Sequence, residues 1–204
     1  AGGIKIWKHD SERLPGNWDM IFQINVLKRV IKFLEENEIP FAVIGGIANA
    51  ERGRPRATED ADLKVLIRDK TISEFRKLAE SHFTPHRRPW LGKAESSLIV
   101  SVEPEPGMVV DMLVAVFPYE ELAIQRAEII ELDGVPLPIC TPEDLIIHKA
   151  ISNRGQDWID IEGVLMRQRG KLDLAYIRNW LTQFSEALEN PEILSRFEHL
   201  YETT

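Results

Sequence analysis

The stretch FAVIGGIANAERGRPRATEDADLKVLI, Phe41 to Ile67, constrains this chain more than any other. A double glycine ends one apolar run, and a loop with arginines leads into a second run that holds two aspartates one residue apart. Aspartate is a poor strand residue. At i and i+2 of a strand, Asp60 and Asp62 project from the same face, about 7 Å apart along the chain, while Ala61 points the other way. Two carboxylates so placed repel each other unless positive charge lies between them. A third aspartate, Asp111, stands inside the apolar run MVVDMLVAV. A carboxylate there must be paired, protonated or bound to a cation. Three carboxylates on neighbouring strands form a site for hard divalent cations such as Mg²⁺, which keeps waters and completes its shell with phosphate oxygens. Gly45 and Gly46, having no side chains, let backbone N–H groups approach an anion. A helix starting at IANAERG would add its favourable N-terminal field.

Hydrophobic periodicity divides the rest. Residues 1–16 read as an irregular arm. A helix follows from Asn17, with Ile21, Ile24, Leu27, Ile31 and Leu34 at spacings of three and four, and ENEIP ends it because Pro40 disfavours helix at Ile39. FAVIG, ADLKVLI, SSLIVSVE and MVVDMLVAVF read as strands. TISEFRKLAESH reads as an amphipathic helix with Thr71 or Ser73 as its cap. EIIEL and VPLPI flank Asp133–Gly134, which is hairpin chemistry. After TPEDL, with Thr141 as cap, helices are expected over 142–153, 157–168, 173–189 and 191–202. The order predicts an α+β fold, in which a small mixed β-sheet core with flanking helices (residues 1–140) carries a C-terminal helical part (141–204) packed on it.

Composition narrows the class. At 204 residues with 44% hydrophobic side chains, the chain can bury a full core. Its formal net charge of −8 argues against a broad nucleic-acid-binding face and leaves room for local basic patches. With one cysteine, Cys140, it holds no internal disulfide, which points to a reducing, cytoplasmic compartment. No apolar run nears the ~20 residues needed to span a bilayer.

The motifs together resemble the signature of the DNA polymerase β-like nucleotidyltransferase superfamily. GG is followed by thirteen residues, then D-x-D between apolar residues, then a later lone Asp on a strand. Arg56, Thr58, Asp60 and Asp62 match the R-x-T-x-D-x-D form, which resembles the minimal, AbiE-toxin-like branch. PEDLIIHKAISNRGQDWIDIEGVL is similar to that branch's helical K…R-x-x-D-x-x-D motif through Lys149, Arg154, Asp157 and Asp160. Ala61 stands where the family has a bulkier apolar residue. The resemblance spans roughly residues 40 to 165.

It implies a metal-dependent transfer of a nucleoside monophosphate from an NTP to an acceptor, with release of pyrophosphate. Asp60, Asp62 and Asp111 would be catalytic and would hold two Mg²⁺ or Mn²⁺ ions, with Asp111 also the base toward the acceptor hydroxyl. Gly45, Gly46, Thr58 and Lys149 would bind the nucleotide. Candidate acceptors are RNA or protein, as in a toxin with an antitoxin partner. The alternatives are a small molecule of the aminoglycoside kind, or a silent binding module of the same fold. Arg52, Arg54 and Arg56, and Arg87, Arg88 and Lys93 around Trp90, read either as steering charges for an anion or as solvated loops. Arg154 with Asp157 or Asp160 reads equally as an ion-pair staple between helices. Cys140 reads as a packing residue.

Overall fold

The computed structural model describes residues 20–56, 58, 60–87 and 97–204. The N-terminal arm and the positions Arg88, Trp90 and Lys93 lie outside the described residues. In chain order the elements are α1 (Met20–Glu36), β1 (Phe41–Ile44), α2 (Gly45–Arg52), β2 (Asp60–Val65), α3 (Ile72–Glu80), β3 (Thr84–Pro85), β4 (Ile99–Glu105), β5 (Met108–Val114) and α4 (Pro118–Gln125). They continue with β6 (Glu128–Leu132), β7 (Val135–Ile139), α5 (Pro142–Ser152), α6 (Gly155–Arg167), α7 (Leu174–Ala187) and α8 (Glu192–Thr203).

The strands form one mixed sheet in the order β3-β4-β5-β2-β1-β7-β6. β2 pairs antiparallel with β1 and parallel with β5. The period-2 alternation sorts the central strands into two faces. Ala61, Leu63 and Val65 of β2, Val110 and Met112 of β5, and Val100 and Val102 of β4 are buried on one face. Helices α1 and α3 pack on that side, through Leu27, Leu34 and Phe75, all fully buried. The other face carries Asp60, Asp62 and Lys64 on β2, and Asp111 and Leu113 on β5. Helix α4 lies over it, with Glu120 paired to Lys64.

Local signals behave as their chemistry requires. Thr71 caps α3 in a capping box with Glu74. Asp133 and Gly134 both take positive φ, 48° and 74°, as the tight β6–β7 turn demands. Thr141 caps α5, accepting from the Asp144 N–H at 3.1 Å. Asn153, at φ 54°, ends α5, and Gly155 opens α6. The break in the helical motif therefore falls at Asn153, where an amide side chain tolerates the left-handed turn and accepts from Trp158 Nε1 at 2.7 Å.

Two elements are absent from the sequence reading. β3 is only two residues long. α4 has no clear apolar period, but Pro118 opens it and the Glu120 carboxylate accepts from the Val116 and Phe117 N–H groups at 2.7 and 3.1 Å.

Candidate active site

Backbone register builds the site. Ile44 pairs with Asp62, and Asp62 pairs with Asp111 across the parallel β2–β5 ladder. Residues opposite each other in a ladder share a face, so Asp60, Asp62 and Asp111 all project from the side opposite the apolar face. The chain turns into α2 at Gly45, directly beside Asp62. Gly45 has φ +64°, and a Cβ there would fall 1.9 Å from Asp62 Oδ2. Only glycine both adopts this backbone and leaves room for the carboxylate.

Gly46 makes a close approach of another kind. Its Cβ position is taken by Thr58, whose Oγ1 would lie 2.6 Å away. A larger residue at Gly46 would therefore push Thr58 aside and disturb the loop, besides any effect on a ligand. Thr58 is held by its own bonds: Oγ1 donates to the Asp60 carbonyl at 3.0 Å, and its carbonyl accepts from Gln23 Nε2 at 2.5 Å.

The carboxylates act on one another. Burial, then the charges of Asp111 and Asp60, push the Asp62 carboxyl up to about 6. Lys149 and Arg154 oppose the shift, which places both cations within electrostatic reach of the carboxylates. Burial leads and like-charge repulsion comes second.

Lys149 is 5% exposed. Its Nζ donates to Asp160 Oδ2 at 2.5 Å and to Asp157 Oδ1 at 3.4 Å. Arg154 forks onto Asp157 at 2.7 and 3.2 Å, and Arg56 Nε reaches Asp160 Oδ1 at 3.1 Å. Despite burial, the Arg154 bond and Lys149 hold Asp157 below the usual carboxylate range, and bonds from Arg56 and Lys149 do the same for Asp160. The two motifs thus meet in one chain of charges, Arg56–Asp160–Lys149–Asp157–Arg154, which ties the loop before β2 to α5 and α6. Arg154 does pair with Asp157, but inside the first turn of α6 rather than between helices; the staple between α5 and α6 is made by Lys149.

Of the other arginines, Arg52 is buried, with Nε donating to the Cys140 carbonyl at 3.1 Å and Nη2 to Glu128 Oε2 at 2.6 Å. It braces α2 against β6 and β7. Arg54 and Arg87 are exposed, and Cys140 is buried.

A cleft of about 720 Å³ opens between the aspartate-bearing face of the sheet and helices α4 to α7. Gly45, Asp62, Lys149 and Arg154 line one end. Tyr119, His148, Trp180 and Phe184 line the other. That second end was missed in the sequence. Tyr176, Trp180 and Phe184 recur at four-residue spacing, an aromatic stripe that periodicity alone could have found. Among the described residues, no three carboxylate, imidazole or thiolate side chains close around one point as a metal cage would. No helix among them is long and apolar enough to cross a membrane.

The fold is shared with known structures. The antibiotic-resistance factor ANT(2'')-Ia is 16% identical, with 90% of this chain and 99% of that one covered, at a TM-score of 0.54. An antigenic nucleotidyltransferase-like protein from Paracoccidioides brasiliensis is 17% identical, with 88% and 91% covered, at a TM-score of 0.48. At 16% identity the likeness to ANT(2'')-Ia is one of fold. No curated protein matches the chain in sequence. A family model matches residues 23–199, which is most of the chain and includes both motifs. The chain belongs to the family described as "Nucleotidyl transferase of unknown function (DUF2204)", and is a nucleotidyltransferase.

Proposed function

We propose that the chain moves a nucleoside monophosphate from an NTP to an acceptor hydroxyl, at the Asp60–Asp62–Asp111 face, and that the reaction depends on Mg²⁺ or Mn²⁺. One observation carries the reading: Asp62 stands in register with Asp111 and against the glycine turn at Gly45. The donor set suits a hard cation in kind, although the three carboxylates do not close around one point as they stand. It is all carboxylate oxygen, and the field at Asp62 already opposes its ionisation. An ion here would complete its shell with water and phosphate oxygens. When bound, such ions supply charge that stabilises the transferring phosphoryl group and the leaving pyrophosphate.

The chain's own residues do the rest. The uncapped N–H groups at the start of α2 face the phosphates beside Gly45. Lys149 and Arg154 line the opposite wall and add positive charge at the triphosphate. Asp111 accepts the proton of the acceptor hydroxyl. The acceptor oxygen then bonds to the α-phosphorus, the bond from that phosphorus to the β-bridging oxygen breaks, and pyrophosphate leaves. Asp157 and Asp160 fix the lysine so that it needs little reorganisation when the nucleotide arrives.

The toxin-like reading, with RNA or protein as acceptor and an antitoxin partner, shares this chemistry with the small-molecule reading. The test is incubation with each labelled NTP, Mg²⁺ or Mn²⁺, total RNA, total protein and a panel of hydroxyl-bearing small molecules. Label on one acceptor class, abolished by Asp62→Asn, supports the reading and names the class. NTP binding with no labelled product in any arm would leave a silent binding module.

A further inference from the structure

We infer that the aromatic end of the cleft is a nucleobase pocket in which Trp180 and Phe184 stack on the base and His148 reads its edge. The inference rests on an NTP occupying the cleft, and adds which residues choose among the four bases.

The first observation is the shape and chemistry of that end. Tyr119 is 2% exposed, and its hydroxyl donates to Asp144 Oδ1 at 3.2 Å, which fixes the ring. Trp180 packs 4.8 Å from it at 55°, and Phe184 5.2 Å from it at 83°. These faces line a cavity that continues without interruption to Gly45 and Asp62. Phe117, 60% exposed, and Leu188, 51% exposed, stand at the rim. A row of aromatic faces held by fixed neighbours is a stacking platform for a planar ring.

The second observation is an enclosed polar atom. The His148 side chain is half-buried, while its Nε2 is shielded from solvent and, among the described residues, has no hydrogen-bond partner; a base would reach it only after a turn of the ring. Buried polar atoms without partners are rare, and each needs a reason. His148 lines the same cavity, 5.4 Å from the Tyr119 ring. Burial and the nearby Lys64 push its imidazole down to about 4, against the opposing pull of Asp144 and Glu120, so it is neutral at physiological pH. Among the described residues that line this end, the cation is Lys64, and it is already paired with Glu120. What this end offers is neutral: flat apolar faces and one unused ring nitrogen. A nucleobase is a neutral planar ring with donors and acceptors along its edge. The positive charge for the phosphates lies at the other end, on Lys149 and Arg154. Stacking gain rises with ring area, so purines are the favoured bases.

The test is calorimetric titration of the full chain with ATP, GTP, CTP and UTP, the four nucleosides, and inorganic tripolyphosphate. Wild type is compared with His148→Leu and His148→Gln, with thermal melting to confirm that each variant is folded. Wild type should separate the four NTPs by roughly fivefold or more, with a purine tightest and the nucleosides in the same order. His148→Leu should compress that spread to below roughly twofold while tripolyphosphate binds as before. His148→Gln, which keeps an edge hydrogen-bonding group, should retain most of the spread. Equal affinities for all four NTPs in wild type, or an unchanged spread in His148→Leu, overturns the base pocket. Tripolyphosphate binding without nucleoside binding overturns it too, and leaves the transferase reading standing. Nucleosides ordered by His148, with no tripolyphosphate binding, uphold the pocket and defeat the proposed phosphate end.

Discussion

Two aspartates in this molecule receive opposite treatment. Asp144, fully buried at the start of α5, is surrounded by donors. Thr141 Oγ1 and Tyr176 OH donate to its carboxylate at 2.7 Å each, Arg126 Nε at 3.1 Å and Tyr119 OH at 3.2 Å. These partners come from the β7–α5 junction, α7, the end of α4 and its first turn, so one carboxylate ties three helices together. Asp62 faces two other carboxylates and is pushed up to about 6. The fully buried Asp144 is satisfied by its neighbours, and the half-buried Asp62 is opposed by them. The first is a fastening. The second has the electrostatics of a site waiting for positive charge, and its strain is sustained by stability from elsewhere in the fold.

The largest expected effect comes from breaking the fastening. Asp144→Ala leaves two tyrosine hydroxyls, a threonine hydroxyl and a guanidinium without their acceptor. It should destabilise the chain by about 3–5 kcal/mol, as loss of one partner from a buried charged network does. Urea denaturation with tryptophan fluorescence measures it. A loss below about 1 kcal/mol would mean that water can replace the carboxylate, and the contrast with Asp62 would fail.

Asp62→Asn should act in the other direction on stability. The folded state holds the Asp62 proton up to about pH 6, whereas the ordinary carboxyl loses it near 3.8. Between those values the native state binds more protons than the unfolded one, so wild-type stability falls as pH rises through this window and stays lower above it. The difference corresponds to about 3 kcal/mol above pH 6. In chelator, Asp62→Asn should therefore match wild type near pH 4 and exceed it by up to that amount at pH 7. Transfer activity should fall by roughly 10²–10³ or more. Denaturation curves across pH 4–8 decide it. A mutant less stable than wild type at pH 7 would show that Asp62 is also a fastening.

The two aspartates were not equally legible in the sequence. Asp62 draws notice, because D-x-D in an apolar run goes against strand preference and sets two like charges on one face. Asp111 does the same inside MVVDMLVAV. Asp144 sits in TPEDL, where an acid in a helix's first turn is ordinary. Its partners Arg126, Tyr119 and Tyr176 lie 18, 25 and 32 residues away, at separations with no local signature. For the same reason Arg56 reads as a loop cation, although it pairs with Asp160, 104 residues on. The strands and C-terminal helices were legible from period and turn chemistry to within a few residues. Of the aromatic end of the cleft only the α7 stripe of Tyr176, Trp180 and Phe184 was within reach of periodicity, since the pocket itself exists only where α4, α5 and α7 meet over the sheet.

Lys149 lies between the two cases, a buried cation paired with Asp157 and Asp160 that also faces Asp62. Lys149→Met keeps the apolar bulk and removes the charge. Arg154 and Arg56 still satisfy the two aspartates, so the stability loss should be moderate, about 1–2 kcal/mol. Affinity for NTP should weaken by about 1–3 kcal/mol, one charge-assisted contact. Calorimetry with a non-hydrolysable NTP reads the second quantity independently of the first. Wild-type affinity in this variant would confine Lys149 to the fastening.

The smallest expected effect is at Arg154, and it separates fastening from field most cleanly. Its side chain is 75% exposed while the Asp157 carboxylate it grips is 2% exposed. Exposed partners of ion pairs contribute little, so Arg154→Ala should cost about 1 kcal/mol or less, with Lys149 still holding Asp157. Yet Arg154 is one of the two cations that oppose the rise at Asp62. Removing it should move the Asp62 carboxyl further up, above about 6, while the fold stays nearly as stable as before. Carboxyl-carbon NMR titration in chelator measures the shift directly, alongside a urea curve. A carboxyl that titrates unchanged in Arg154→Ala would mean that solvent screens the guanidinium from the carboxylates. Arg154 would then belong with Asp144 among the fastenings, and Lys149 alone would carry positive charge to the triphosphate.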